Sequence, residues 1–183
     1  MKHTLSCLVR NQPGVLARVS AAFASKGINI ESLAVGETED TNVSRVTIVV
    51  VGDDRTVLEA EEQCKSLDVV IELEDLASEE YFARELLLIK VRIRPETIPR
   101  VMQVAELFQA RVIGLTDRAL TLELASDHKA IDAMLKMVRP LGIVSMARSG
   151  QIAIPAGDED EGEMAIEPES HPYVWRTGRS GAS

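Results

Sequence analysis

The segment "NQPGVLARV" (residues 11–19) joins a polar loop to an apolar helical pattern, and it contains residue types that bind small anions. A helix beginning here would present unpaired backbone N–H groups, and Gly14 has no side chain to keep a carboxylate away from them. Asn11 can cap the helix or bind the ammonium and carboxylate of an amino acid. Taken alone, Asn11, Gly14 and Asn29 are most simply caps and turns. Together they predict a carboxylate-sized site beside an apolar helix face.

Residue patterns typical of enzymes are missing from the sequence. His3, His128 and His171 stand singly, without the spacing of zinc ligands, and we interpret them as surface histidines. No Walker loop, GxGxxG or serine nucleophile elbow occurs. The acidic cluster "EAEEQ" (residues 59–63) is interpreted as a solvated helix face. The sequence therefore predicts no catalytic residue and no metal site.

The hydrophobic pattern places this segment within a β-α-β-β-α-β unit. "TLSCLVR" alternates like a strand, and a helix with apolar residues at helical spacing follows from Pro13 to Gly27. "INIESLAVGE" and "SRVTIVVVG" predict a hairpin, "DDRTVLEAEEQCKSL" a second helix capped by aspartate, and "VVIELEDL" a last strand.

The same element order recurs in the second half of the chain, so we predict an α+β fold of two tandem ferredoxin-like βαββαβ domains. The predicted last strand is "GIVSMARSG". The predicted division is a first domain over 1–76, a linker over 77–84, a second domain over 85–154 and a tail over 155–183. The tail has seven acidic residues against two arginines, and we predict that it is disordered. Its "YVWR" motif is either passive or a docking peptide.

Composition excludes several classes of function. The 183 residues carry a formal net charge of −9 and only 3% aromatics, which argues against nucleic-acid binding. No segment approaches the roughly 20 apolar residues of a membrane span or the pattern of a signal peptide, so a cytoplasmic location is expected. Cys7 and Cys64 lie in apolar segments and are predicted to be reduced and buried.

The motifs "LVRNQPGVLARVSAAFASKGINIESLAVG", "SRVTIVVVG", "ARELLLIKV" and "ARSG" resemble the regulatory (small) subunit of acetolactate synthase, also called acetohydroxyacid synthase. The resemblance covers residues 1 to about 154. The N-x-x-G-V-L-x-R-V core alone would indicate only an amino-acid-sensing ACT domain, and the later motifs narrow the resemblance to this family.

The resemblance implies a non-catalytic subunit whose N-terminal ACT domain forms a homodimer and binds a feedback-inhibiting branched-chain amino acid, usually valine, between the two copies. The implied effector-binding residues are Asn11, Gly14, Val15 and Leu16 on one side and Asn29 and Ile30 on the other. The C-terminal domain would help activate the large catalytic subunit. Thiamine diphosphate, FAD and magnesium would belong to that large subunit, and this chain would carry no cofactor.

Two alternatives remain open at the level of sequence. The generic loop motif also fits an ACT-repeat sensor that serves a different enzyme or a transcription regulator. A small ferredoxin-like enzyme of the acylphosphatase kind would use Arg10 and Asn11, but the loop lacks the string of glycines expected for it. The long acidic tail departs from the family pattern. Gly36 is expected near the rim of the site and leaves the preferred effector size open.

Overall fold

Two successive β-α-β-β-α-β units form the chain, and the computed structural model describes residues 1–78 and 80–156. The first unit contains β1 (Lys2–Arg10), α1 (Val15–Ser25), β2 (Ile30–Glu37), β3 (Val43–Val51), α2 (Asp54–Lys65) and β4 (Val70–Asp75). The second contains β5 (Tyr81–Arg92), α3 (Ile98–Leu107), β6 (Arg111–Leu115), β7 (Ala119–Ser126), α4 (His128–Val138) and β8 (Ile143–Pro155). The predicted α+β class with two tandem ferredoxin-like domains is confirmed.

Each unit folds into a four-stranded antiparallel sheet with the same topology. The strand orders are β2-β3-β1-β4 and β6-β7-β5-β8, so β2 and β4 are the edges of the first sheet. In the first sheet Cys7 on β1 lies opposite Val46 on β3 and Leu73 on β4. These side chains join the buried core formed with α1 and α2. A separate core lies between the second sheet and its two helices.

Helix α1 begins at Val15, two residues later than the sequence predicts. Gly14 is its N-cap, with a φ of 86°, so Pro13 precedes the helix and Val15 is the first helical residue. The positive φ of Gly14 is a left-handed conformation that side-chain-bearing residues adopt at a cost. At the other end Gly27 has a φ of 71° and its N–H binds the Ala24 carbonyl, which confirms the predicted glycine terminus.

Two residues that the sequence analysis placed at the surface, His3 and Glu61, are buried, so these predictions are wrong. His3 is buried, and its Nδ1 lies 2.6 Å from Oδ2 of Asp75 on β4. Glu61 is also buried, with only 6% of its surface exposed, because it lies on the core-facing side of α2. Burial and the nearby charge of Asp75 raise the pKa of Glu61. His128 is partly exposed, as expected, and His171 lies outside the described residues.

The thiols follow the prediction. Cys7 and Cys64 are free and buried in the first core. The hydrogen bond between the two thiols, together with burial, raises the pKa of Cys7.

The boundaries of the second unit differ from the predicted ones. Strand β5 begins at Tyr81, inside the predicted linker, and β8 continues to Pro155, five residues beyond the predicted strand end at Gly150. The two extensions pair with each other, with Phe82 opposite Ile154 and Ala83 opposite Ala153. They gain backbone hydrogen bonds that neither segment could form alone. The predicted tail lies outside the described residues from position 157 onward.

This two-stranded extension covers the outer face of the first sheet. The Ala153 N–H donates to Thr47 Oγ1 at 3.3 Å, and the Tyr81 hydroxyl donates to Thr4 Oγ1 at 3.4 Å. Thr4, Ser6 and Thr47 are therefore buried although they face away from the core. Within the described residues no helix has the length and apolar character needed to cross a membrane.

Candidate functional site

The N-terminus of α1 has no side-chain cap within the described chain. Helices α2 and α4, in contrast, begin with Asp53 and Asp127, whose carboxylates accept hydrogen bonds from Thr56 and Ala130 N–H groups. At α1 the N-cap is Gly14, and a Cβ placed there would meet no atom within 4 Å. The first turn of α1 thus presents backbone donors to open space, which suits a carboxylate.

Asn11 fixes the loop before α1 but does not cap the helix, so the capping interpretation is wrong. Its Nδ2 donates to the Thr41 carbonyl at 2.9 Å and to Glu37 Oε1 at 3.2 Å. Its backbone N–H donates to the Asn42 carbonyl at 2.6 Å. All three partners belong to the end of β2 and the loop before β3. The side chain therefore lies at the edge of the site, held by its amide nitrogen.

The apolar part of the site comes from the first turn of α1. Val15 is buried in the first core, and Leu16 is 38% exposed on the adjoining surface. Ile30 at the start of β2 packs against the same core. An aliphatic side chain bound beside Leu16 would leave water and gain up to about 1.5–3 kcal/mol.

The structure does not bring the two predicted sides of the site together within one chain. Asn11 contacts Glu37 at the end of β2, whereas Asn29 and Ile30 stand at its beginning. Seven residue steps of roughly 3.3 Å separate the two ends by about 23 Å. Asn29 is exposed and available to another molecule.

Strand β2 lies between these two ends and forms one edge of the first sheet. Among residues 1–78 and 80–156 it pairs with β3 alone, so its other side presents backbone groups without a strand partner in that part of the chain. Val35 is 45% exposed on this strand, and Gly36 has open space where a Cβ would be. Lys2 lies 3.5 Å from Glu31 beside the start of the strand. This edge is suited to pairing with another strand.

A second group of charges occurs where the two units meet. Arg148 on β8 contacts Glu85 on β5 through two hydrogen bonds, from Nε to Oε1 and from Nη2 to Oε2, the latter at 2.8 Å. His128 Nδ1 lies 3.4 Å from Glu85 Oε2, and its Nε2 lies 3.3 Å from Asp132 Oδ2. Burial alone would raise the pKa of Glu85, but Arg148 and His128 offset it and hold the pKa below its usual value. Glu85 in turn raises the pKa of Arg148.

These charges line a cleft of about 650 Å³ between the first and second units. The first unit contributes Lys2, Glu31, Ser32, Leu33 and Val49. The second contributes Glu85, His128 and the segment 148–151 of β8. This junction is not visible in the sequence because Glu85 and Arg148 stand 63 positions apart. An isolated glycine at the end of an apolar strand was the one available signal of a bulge there.

Family comparisons agree with this architecture. Residues 5–72 match the model described as "AHAS small subunit-like ACT domain", and residues 84–157 match "Small subunit of acetolactate synthase". The first unit is thus an ACT domain, the class of fold that its sheet topology defines. The remaining matched segment coincides with the second unit.

The alignments with individual relatives cover nearly the whole length of each relative. A probable acetolactate synthase small subunit from Archaeoglobus fulgidus is 38% identical over 159 residues, which span 87% of this chain and 99% of the relative. The small subunit from Mycobacterium leprae is 41% identical over 162 residues, 88% of this chain and 96% of the relative. The crystal structure of the Thermotoga maritima small subunit superposes with a TM-score of 0.78 at 31% identity, covering 86% of this chain and 99% of that one. The chain belongs to the acetolactate synthase small-subunit family.

Proposed function

We propose that this chain is the non-catalytic regulatory subunit of acetolactate synthase, which activates the catalytic large subunit and makes it sensitive to feedback inhibition by valine or another branched-chain amino acid. The observation that carries the proposal is the uncapped N-terminus of α1 beside Leu16, at the free edge of the ACT-domain sheet. Backbone N–H groups bind the effector carboxylate, and the aliphatic side chain lies against Leu16.

The complete site requires a homodimer. Two copies of β2 that pair about a two-fold axis run antiparallel, so the beginning of one strand lies beside the end of the other. Asn29 and Ile30 of a second copy would then approach Asn11 and Gly14 of the first. This arrangement removes the separation of about 23 Å found within one chain.

Residue identities favour a branched aliphatic effector. Val15, Leu16 and Ile30 offer aliphatic surface, and Asn11 and Asn29 offer polar groups for the charged ends of an amino acid. One methylene changes binding by about 1–3 kcal/mol in such a site, so valine, leucine and isoleucine would be separated only modestly.

The proposed partner is the large subunit, which would hold thiamine diphosphate, FAD and magnesium, while the second domain of this chain supports activation. Both would act in the cytoplasm. No residue of this chain takes part in the chemical step. Its contribution is a difference in the stability of active and inactive arrangements of the complex.

Calorimetry on the pure full chain tests effector binding. We expect saturable heat with at least one of valine, leucine and isoleucine, and no synthase activity from the chain alone. Reconstitution with the large subunit should raise synthase activity and make it sensitive to the same amino acid. Absence of heat with all three amino acids would contradict the effector assignment.

An ACT-domain sensor for a different enzyme or a transcription regulator is the competing function. Affinity purification of the tagged full chain from its own cells separates the two. Recovery of a thiamine-diphosphate-dependent enzyme with a much larger subunit supports the proposal, whereas recovery of an unrelated enzyme supports the alternative.

A further inference from the structure

Strand β8 contains a bulge at the place where it meets β2 of the first domain. Leu87 on β5 pairs with Arg148, and Glu85 pairs with Gln151, so β8 has one residue more than β5 in this interval. A bulge of this kind bends the strand and changes the direction of its backbone groups. Here it brings the backbone of β8 against the first domain.

Gly150 permits this approach. Its φ is 78°, and a Cβ built on it would lie 2.9 Å from the Leu33 carbonyl oxygen and 3.0 Å from Ser32 Oγ. The first distance is too short for a Cβ contact and the second is very tight. The positive φ adds strain for any residue other than glycine. The backbone of β8 at Gly150 therefore lies directly against the backbone of β2 at Leu33.

Hydrogen bonds fix the position of β8 on the first sheet. The Gln151 N–H donates to Ser32 Oγ at 3.0 Å, and the Ala153 N–H donates to Thr47 Oγ1 at 3.3 Å. Gln151 and Ala153 are buried in this contact. Movement of β2 along its axis would break the first bond and force Gly150 to move with Leu33.

The other side of the bulge is joined to the body of the second domain. Arg148, two residues before Gly150, is held by Glu85 on β5 and by Asp132 on α4. The cleft of about 650 Å³ between the two domains lies beside this ion pair. A continuous set of contacts thus leads from β2 through the bulge to α4.

We propose that the bulge at Ser149–Gly150 couples occupancy of the effector site on β2 to the position of the second domain. This inference rests on the proposed function, because it assigns the path by which that effector acts. The effector contacts the beginning of β2, and Ser32 and Leu33 on the same strand hold β8. A change in the position of β2 is therefore passed to the second domain through backbone contact. Loss of such coupling changes the response by about 5- to 150-fold.

Gly150→Ala is the direct test, with Gly142→Ala as its matched control. Gly142 also has a positive φ, of 97°, but a Cβ there would meet only Arg92 Cβ, at an ordinary 3.6 Å. Each full-length variant is measured for valine affinity by calorimetry and for valine inhibition in the reconstituted complex. For Gly150→Ala we expect affinity within about threefold of wild type and a half-inhibiting valine concentration raised at least about fivefold. Gly142→Ala should leave both unchanged.

Two milder variants test the same coupling in case Gly150→Ala fails to fold. Ser32→Ala and Thr47→Val each remove a hydroxyl acceptor of β8 and keep the size of the side chain similar. Both should bind valine as wild type does and show weakened inhibition. Hydrogen exchange of residues 149–153 in the wild-type chain should also change when valine binds.

The outcomes separate the two proposals. If wild type binds none of the branched-chain amino acids, the proposed function is wrong and the coupling fails with it. If wild type binds valine but Gly150→Ala and Ser32→Ala both keep wild-type inhibition, the coupling alone is wrong. Equal losses of affinity and inhibition would also overturn it, because the bulge would then support the effector site itself.

Discussion

The side-chain amide of Asn11 donates a hydrogen bond of 2.9 Å to the backbone carbonyl of Thr41, which joins the loop before α1 to the loop between β2 and β3. The same nitrogen lies 3.2 Å from Glu37 Oε1 at the end of β2. The β2–β3 hairpin therefore holds the loop that forms one side of the proposed effector site.

Asn11→Ala should release this loop from the hairpin. We expect a loss of about 0.5–1.5 kcal/mol in the free energy of unfolding, toward the lower end because the bonds are exposed. Valine affinity should fall by about tenfold or more, since one side of the site loses its support. Urea denaturation and calorimetry measure the two effects. Gln12→Ala is the control, because the Gln12 side chain makes no hydrogen bond within the described residues, and an equal loss there would contradict the assignment.

Gly14→Asp should abolish valine binding, because a carboxylate at the mouth of α1 would repel and displace that of the ligand. Gly14→Ala separates charge from backbone strain. Both variants place a Cβ at a φ of 86° and should lose about 1–2 kcal/mol of stability. The alanine variant should still bind valine measurably in calorimetry. Equal affinity of the aspartate variant and wild type would show that the carboxylate binds elsewhere.

Val35→Lys should weaken the proposed dimer. Lysine on an edge strand opposes pairing with another strand, and Val35 is already exposed in the single chain, so the fold itself should persist. We expect sedimentation to show a shift toward monomer and calorimetry to show weaker valine binding. Val51→Lys changes an equally exposed valine on β3, away from the free edge of β2, and should remain dimeric. A dimeric Val35→Lys protein with normal affinity would exclude β2 as the interface.

Glu61→Gln should stabilise the protein at neutral pH. Burial, with the Asp75 charge, raises the pKa of Glu61 above its unfolded value of 4.5. The favourable contribution of the protonated carboxyl is therefore complete below pH 4.5 and is lost as pH rises through the folded pKa. The variant should melt a few degrees above wild type at pH 7, and the difference should shrink toward pH 4. Glu62→Gln, on the exposed side of α2, should show no such trend in thermal melts at both pH values.

Arg148→Met should destabilise the junction by about 1–3 kcal/mol, less than for a fully buried pair because Arg148 retains some contact with water. Arg148 and His128 hold the pKa of Glu85 below 4.5 against burial. The stability that Arg148 and His128 provide by pairing with ionised Glu85 is present above pH 4.5. It is lost as pH falls through the pKa of Glu85 in the folded protein. The variant should therefore differ from wild type most at pH 7 and least in acid, as measured by urea denaturation. The double variant Glu85→Gln with Arg148→Met should recover much of the loss, and failure to recover would contradict the ion-pair account.

Much of the fold follows from local patterns. Alternation in "TLSCLVR" and helical spacing from Val15 to Phe23 are properties of consecutive residues, and hydrophobic burial acts on them wherever the chain folds. Gly27 was equally predictable, since a left-handed residue after a helix is a local requirement. Residue type alone also located the loop that contains Asn11 and Gly14.

Contacts between residues that are distant in the sequence could be identified only from the tertiary structure. Residues 151–155 extend β8 because they pair with residues 81–85 of β5, which lie far away in the sequence. Glu61 and His3 are polar, yet the core and β4 enclose them. The ion pair of Glu85 with Arg148 and the approach of Gly150 to Leu33 join positions 63 and 117 residues apart.

The sequence by itself determined the two βαββαβ units, the free thiols in the first core and the residues at the mouth of α1, because each depends on periodicity or on the chemistry of adjacent residues. The tertiary structure decided which strand is the free edge, that the two sides of the predicted site stand at opposite ends of it, and how β8 binds the first domain. Those features depend on the direction and pairing of strands, and the energies that select them come from contacts between residues that are distant in the chain.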